Sequence, residues 1–142
     1  MFLGQFAHTI DEKGRLTIPA RFRPELAAGL VVTRGIDRCL AIYPMAEWER
    51  LAGKVASLPM TDRYARAFRR LVFANASDAM PDRQGRVVIP PSLREQVGLS
   101  GEVIVTGLNN YIEVWSPEVW SRECERVEND DSDGERWAVL GI

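Results

Sequence analysis

Apolar residues in this chain fall into short clusters separated by glycine, proline, asparagine and aspartate, and the clusters come in two sets. Leu16-Thr17-Ile18, Leu30-Val31-Val32-Thr33 and Leu40-Ala41-Ile42-Tyr43 form the first. Val87-Val88-Ile89, Val103-Ile104-Val105 and Ile112-Glu113-Val114-Trp115 form the second. Short β-branched runs bounded by turn formers read as strands. A Trp-bearing helix closes each set, around Trp48 and around Trp120. Pro44 and Pro117 sit near the starts of these helices, where a missing N–H costs little, and Ser116 is a natural N-cap. Each half therefore reads strand, short helix, strand, turn, strand, helix, with the second half's tight turn placed at Gly107-Leu108-Asn109-Asn110.

Between the halves, Tyr64, Phe68, Leu71 and Val72 fall at i, i+4, i+7 and i+8. That spacing predicts an amphipathic helix with an apolar stripe, capped by Asp62. Arg63, Arg66, Arg69 and Arg70 add positive charge with no acid between them. They form either a second phosphate-binding face, or a solvated helix face or salt bridges to a neighbouring subunit, and the latter pair is the favoured reading.

The two sets are a true internal repeat. Asp11-Glu12-Lys13-Gly14-Arg15-Leu16-Thr17-Ile18-Pro19 returns 71 residues later as Asp82-Arg83-Gln84-Gly85-Arg86-Val87-Val88-Ile89-Pro90, with five of nine positions identical. Pro19 to Arg23 aligns with Pro90 to Arg94 at the same offset, and an insertion then moves it to 72, which sets Leu30 against Glu102 and Trp48 against Trp120. The organisation read from this is a first repeat over residues 1–50, a linking helical segment over 51–75, a second repeat over 76–127 and an acidic tail over 128–142 that loses periodicity. One asymmetry is visible. Pro91 to Gly98 is an orthodox short helix, whereas Pro24 interrupts its counterpart and predicts a helix that is distorted or begins again there.

Charge changes the picture more than composition does. The net charge of −2 averages over uneven segments: residues 128–135 hold five acids and no base. The remainder sets 18 basic residues against 15 acidic ones. No apolar run approaches the ~20 residues of a membrane-spanning helix, and no secretory signal pattern opens the chain, so a cytoplasmic protein is expected. Cys39, Cys124 and the lone His8 supply neither a disulfide framework nor four zinc ligands, so no metal site and no cofactor are expected.

The repeated Asp-x-x-Gly-Arg turn is the candidate chemistry. Gly14 and Gly85 admit positive φ, Asp11 and Asp82 can accept turn amides, and each aspartate can also orient the arginine four residues on, Arg15 or Arg86. An oriented arginine presents a fork of donors fitted to carboxylate, phosphate or the O6/N7 edge of guanine. A single copy would read as a pinned hairpin, but two copies favour an interaction surface. Lys13 and Arg83 add charge to the two loops, fitted for phosphate contacts.

On these residues the chain resembles the MraZ family of bacterial transcriptional regulators, two repeats of the AbrB/SpoVT-like swapped-hairpin class. The resemblance runs from Met1 to about Arg126. It includes the doubled Asp-x-x-x-Arg, the strand ending Ile-Pro after each copy, the linking helix with Arg69-Arg70-Leu71 and the Trp-bearing helices. It implies a β-rich α+β fold, a pseudo-two-fold swapped-hairpin β-barrel built from tandem repeats with flanking helices. It implies a ring-like homo-oligomer, nucleoid-associated, whose loops read short direct repeats in double-stranded promoter DNA of the division and cell-wall gene cluster. The motif carries over to Asp11, Arg15, Asp82 and Arg86, and Lys13 fits the family's basic loop position. The uncharged Gln84 stands at the matching place, so the two loops differ in charge.

Two other classes compete. An enzyme needs a nucleophile, a base and a pocket, and each candidate carboxylate is followed by an arginine that would hold it ionised. No catalytic residue and no small-molecule substrate are expected. A non-enzymatic assembly module, docking protein through the same loops, is the alternative. Trp48 and Trp120, at equivalent places, read as helix-to-barrel packing and not as base-stacking platforms, and His8 as structural.

Overall fold

Each repeated turn folds as a hairpin whose second strand pairs with the opposite repeat. This computed structural model describes residues 1–129 and 133–141. Strand β1 (Phe2–Ile10) turns through Asp11–Gly14 into β2 (Arg15–Thr17). In the second half β5 (Ser77–Ala79) leads through the Asp82–Gly85 turn into β6 (Arg86–Val88). β2 then pairs antiparallel with β6, Leu16 opposite Val87. Ile18 N donates to Gly85 O at 2.9 Å and Ile89 N to Gly14 O at 2.8 Å, extending the pairing into each other's turns.

The exchange continues outward. β1 runs the length of β7 (Gly101–Asn109), and β5 pairs with β3 (Leu30–Arg34), so each half completes the sheet of the other. With β4 (Leu40–Pro44) and β8 (Ile112–Trp115) the order is β5-β3-β4-β8-β7-β1-β2-β6. The edge strands β5 and β6 are joined by one loop, and the eight-stranded antiparallel sheet curls into a nearly closed barrel. Inside it lie Phe2, Leu16, Ile18, Leu30, Ile42, Val87, Ile89 and Ile112, all 2% exposed or less. Burying each such side chain contributes roughly 1.5–3 kcal/mol.

Register refines the repeat. Val32 pairs with Ser77 as Val105 pairs with Phe6, so β3 and β7 correspond at an offset of 73, one residue beyond the sequence alignment. Leu30 and Val103 are then equivalent core residues, and so are Val32 and Val105. Thr33 becomes the counterpart of Thr106. The shift arises because the chain before β7 is longer by two residues and the following turn is shorter by one, a compensation invisible to matching by similarity.

The proline asymmetry is present. A 3-10 turn at Ala20–Phe22 is followed by the four-residue helix α1 (Arg23–Leu26), with Pro24 in its first turn. The counterpart α4 (Pro91–Val97) is one helix ended by Gly98 at φ 65°. The tight turn of the second half is displaced from its expected place. It is made by Asn109, at φ 69°, and Asn110, closed by Leu108 N to Tyr111 O at 2.8 Å. Gly107 lies within β7, where a Cβ would stand 2.5 Å from the backbone of Phe2.

Helix α2 (Met45–Ala56) packs on the first half, and α3 (Arg63–Phe73) crosses it, with Asp62 accepting from the amides of Tyr64 and Ala65. The predicted stripe on α3 is buried only at its carboxyl end: Val72 is 5% exposed, but Tyr64 is 84% exposed and faces away from the barrel. α5 (Pro117–Asn129) opens on Ser116, whose Oγ accepts from Val119 N at 3.3 Å. The tail expected to be irregular from Glu128 is helical at both of its described parts, in α5 to Asn129 and in α6 (Asp133–Ala138), while residues 130–132 lie outside the described residues. No helix among the described residues is long and apolar enough to cross a membrane.

Candidate nucleic-acid interface

The β2/β6 ribbon has an inner and an outer face because side chains alternate along a strand. Leu16 and Val87 point inward and are buried, so Arg15, Thr17, Arg86 and Val88 lie on the outer face. Antiparallel register sets Thr17 opposite Arg86 and Arg15 opposite Val88. Arg15 and Arg86 are therefore diagonal neighbours, about 7–8 Å apart by strand geometry. Two turns 71 residues apart in sequence form one surface.

Each turn orients its arginine in the same way. Asp11 Oδ1 accepts from the amides of Lys13 (3.0 Å) and Arg15 (2.9 Å), and Oδ2 accepts from Arg15 Nε at 2.6 Å. Asp82 Oδ1 accepts from the amides of Gln84 and Arg86, both at 2.9 Å, and Oδ2 from Arg86 Nε at 2.8 Å. Backbone N–H donation from Arg15, then the Arg15 guanidinium, holds the Asp11 carboxyl below the ordinary carboxylate range against the opposing effect of burial. Asp82 is depressed the same way by Arg86. Both stay ionised, which fits them to hold an arginine and not to donate a proton.

With Nε engaged, the Nη pair of each guanidinium has no protein partner among the described residues. The side chains are 31% and 28% exposed, enough to present a fork while the stem is held. Gly14 and Gly85 carry φ of 79° and 74°, closing the turns. Lys13 and Arg83 are exposed at the loop tips, but at different turn positions: Lys13 corresponds to Gln84 and Arg83 to Glu12.

Two further arginines belong to this surface. Arg23 Nε donates to Ile18 O at 2.9 Å, and Arg94 Nε to Ile89 O at 3.1 Å. The swap then lays each over the opposite turn, Arg23 against Gly85 and Arg94 against Gly14. Their equivalence at the offset of 71 was the available signal. That equivalence aligns the two arginines, but their contact with the opposite turns follows only from the hairpin exchange, which the family resemblance implies and no local residue pattern does.

The remaining candidates lie elsewhere. Arg69 Nη1 donates to Ala56 O at 2.8 Å, tying α3 to the end of α2, and Arg66 Nη1 donates to Met60 O at 3.0 Å in the loop between the two helices. Arg63 and Arg70 are exposed. Trp48 packs edge-on to Phe73 at 5.9 Å, and Trp120 packs on Trp115 at 5.4 Å while its Nε1 donates to Gln5 Oε1 at 2.9 Å. His8 is half-buried on β1, its pKa lowered by burial and then by Arg23. Cys39 is buried, its thiol pushed well up by burial and by the neighbouring Glu113, to which its Sγ donates at 3.5 Å. Among the described residues no three His, Cys, Asp or Glu side chains are grouped to hold a metal ion.

The family model described as "MraZ protein, putative antitoxin-like" matches the chain twice, over residues 1–71 and 72–139. A protein named transcriptional regulator MraZ from Thermomicrobium roseum is 57% identical over 125 residues, 88% of each chain. One of the same name from Herpetosiphon aurantiacus is 53% identical over 120 residues, 84% of each chain, and one from Salinispora arenicola is 42% identical over 142 residues, the full length of both. A family model that covers both halves and similarity along nearly the whole length converge, and the chain belongs to the MraZ family.

Proposed function

We propose that this chain is a sequence-specific, double-stranded-DNA-binding transcriptional regulator. It acts as a nucleoid-associated, ring-like homo-oligomer in the cytoplasm, and its Asp-x-x-x-Arg loops contact direct repeats in the promoter of the division and cell-wall gene cluster. Arg15 and Arg86 read base edges; Lys13 and Arg83 hold phosphates; Asp11, Gly14, Asp82 and Gly85 fix the loops. The observation that carries the reading is the diagonal placement of two carboxylate-buttressed arginines on one outward β-ribbon. A two-stranded ribbon fits the major groove, and an arginine fork fits guanine O6 and N7. Relatives named as transcriptional regulators support it.

The reaction at the interface is recognition without bond making. Each aspartate fixes its guanidinium before DNA arrives, so less side-chain freedom is lost on binding than an unpaired arginine would lose. Lys13 and Arg83 displace condensed counterions, giving affinity that falls steeply with salt. The test is an electrophoretic shift on DNA upstream of the chain's own gene, with base-by-base substitution and a salt series. Binding that weakens with salt and is abolished by Arg15→Ala with Arg86→Ala, the oligomer surviving, supports the reading. Salt-independent association, or full binding by the double variant, overturns the reading role of these arginines, and no retarded DNA at low salt favours a protein-docking module.

A further inference from the structure

The two halves of the barrel match strand for strand, yet their outer grooves differ in what covers them. In the first half α3 lies against α2. Phe73 packs on Trp48, Val55 is 2% exposed, and Thr33 Oγ1 donates to the Val72 carbonyl of α3 at 2.6 Å. In the second half Trp120, Val127 and Thr106 occupy the corresponding places on α5 and β7, and among the described residues none of α6 lines the groove beside them. Val127 is half-exposed, and α5 buries none of its residues fully. Thr106 is 3% exposed, and its Oγ1 has no hydrogen-bond partner. A cavity of about 550 Å³ opens beside α5, walled by Trp115, Trp120 and Val127.

The rim of that groove is acidic. Asp37, Glu113, Glu123 and Glu128 line it. Burial, reinforced by the carboxylates of Asp37 and Glu123, holds Glu113 above its ordinary range despite hydrogen bonds from Trp115 and Cys39. Glu123 is paired with Arg126 of the same helix at 2.5 Å, and no basic side chain is among the residues that line the groove, so its aromatic walls and remaining carboxylates suit a cationic occupant. The chain carries one helix of the required character. α3 contains four arginines and no acid, and Arg63, Tyr64, Ala67 and Arg70 are exposed on the side turned away from α2.

We propose that the arginine face of α3 from one copy docks in the acidic groove beside α5 of the next. This deepens, and rests on, the reading of the chain as a homo-oligomer: it names the two faces that meet. They belong to different halves of the barrel, so the contact joins unlike surfaces head to tail, the geometry that closes rings. The second copy gives α5 the cover that α3 gives α2 within one chain, and its arginines neutralise the rim.

The test is sedimentation of the full chain at fixed salt. Arg63→Glu with Arg70→Glu is expected to reduce the oligomer to single chains, as is Glu123→Arg with Glu128→Arg. All these positions except Glu123 are exposed, so the helices fold, and circular dichroism checks that they do. An equimolar mixture of the two variants is expected to restore the wild-type mass, because each acidic helix then meets a basic groove and each basic helix an acidic one. Variants that keep the wild-type mass overturn the contact while leaving the oligomer standing. Dissociation by Trp137→Ser with both charge variants intact gives the groove to the carboxyl-terminal segment and also overturns it. A wild-type chain that sediments as a monomer overturns the ring reading and this contact together.

Discussion

Arg94 lies against Gly14, close enough that a Cβ on the glycine would stand 2.9 Å from its Nη2. The pair joins α4 of the second repeat to the turn of the first, and Arg23 crowds Gly85 in the reverse sense more closely still. Each glycine is therefore required twice, once by a φ near +75° and once by a guanidinium over its Cα. Gly14→Ala and Gly85→Ala are each expected to destabilise the fold by about 1–3 kcal/mol, from strain at a left-handed position. The loss is larger at Gly85 and shrinks there when Arg23 is also replaced by Ala. Denaturant unfolding of the four chains measures the coupling.

Replacing Arg15 or Arg86 by Lys keeps the charge and removes the fork. A lysine cannot engage Asp11 or Asp82 through Nε while offering two further donors. Each change is expected to weaken binding by about 1–3 kcal/mol at the base it contacts and to relax preference there. Lys13→Ala and Arg83→Ala are expected to weaken all sequences alike and to lower the salt slope by about 1 each. Anisotropy titrations over a salt series, on matched and substituted DNA, separate the two behaviours.

Much of this was legible in the chain. Five identities in nine placed both turns, Asp62 marked the start of α3, and Pro24 marked the break in the first short helix. What stayed hidden depends on which strands meet. Nothing in Arg23 or Arg94 announces that the hairpins exchange, because the carbonyls of Ile18 and Ile89 are local partners and the glycines of the opposite turn are not. Tyr64 satisfies helical periodicity but is exposed, so the pattern overstates the buried stripe. The equivalence of Thr33 and Thr106 was masked by an offset that drifts from 71 to 73 and back to 72, which only hydrogen-bond register resolves.

The aspartates give the site a pH limit. Both carboxyls are lower in the folded chain than in the unfolded one, through the amides of Arg15 and Arg86. Their contribution to turn stability is therefore complete above the ordinary aspartate range and is lost as pH falls through the depressed values. Turn order is expected to persist from neutral pH to about pH 4 and to fail below it. Carboxyl chemical shifts followed from pH 6 to 2 would show Asp11 and Asp82 titrating below the ordinary aspartate range. Midpoints at or above that range would contradict the assignment.

Trp48 and Trp120 stand at equivalent places with unequal surroundings, and their truncation should expose the difference. Trp48 lies between Tyr43, at 6.2 Å, and Phe73, at 5.9 Å, beneath α3. Trp48 is half-buried, and Trp48→Ala removes its packing against Tyr43 and Phe73, at an expected cost of about 3 kcal/mol, the low end for a core aromatic. Trp120 packs on Trp115 and donates to Gln5, but its other side faces the open groove. In a dissociated chain Trp120→Ala leaves a site open to water, and its cost should fall well below that of Trp48→Ala. If α3 of another copy covers the groove, the difference depends on assembly: Trp120→Ala then raises the concentration at which the oligomer dissociates, while Trp48→Ala acts on the single chain. Melting curves at dilutions spanning that dissociation distinguish a tryptophan that holds one chain together from one that awaits its neighbour.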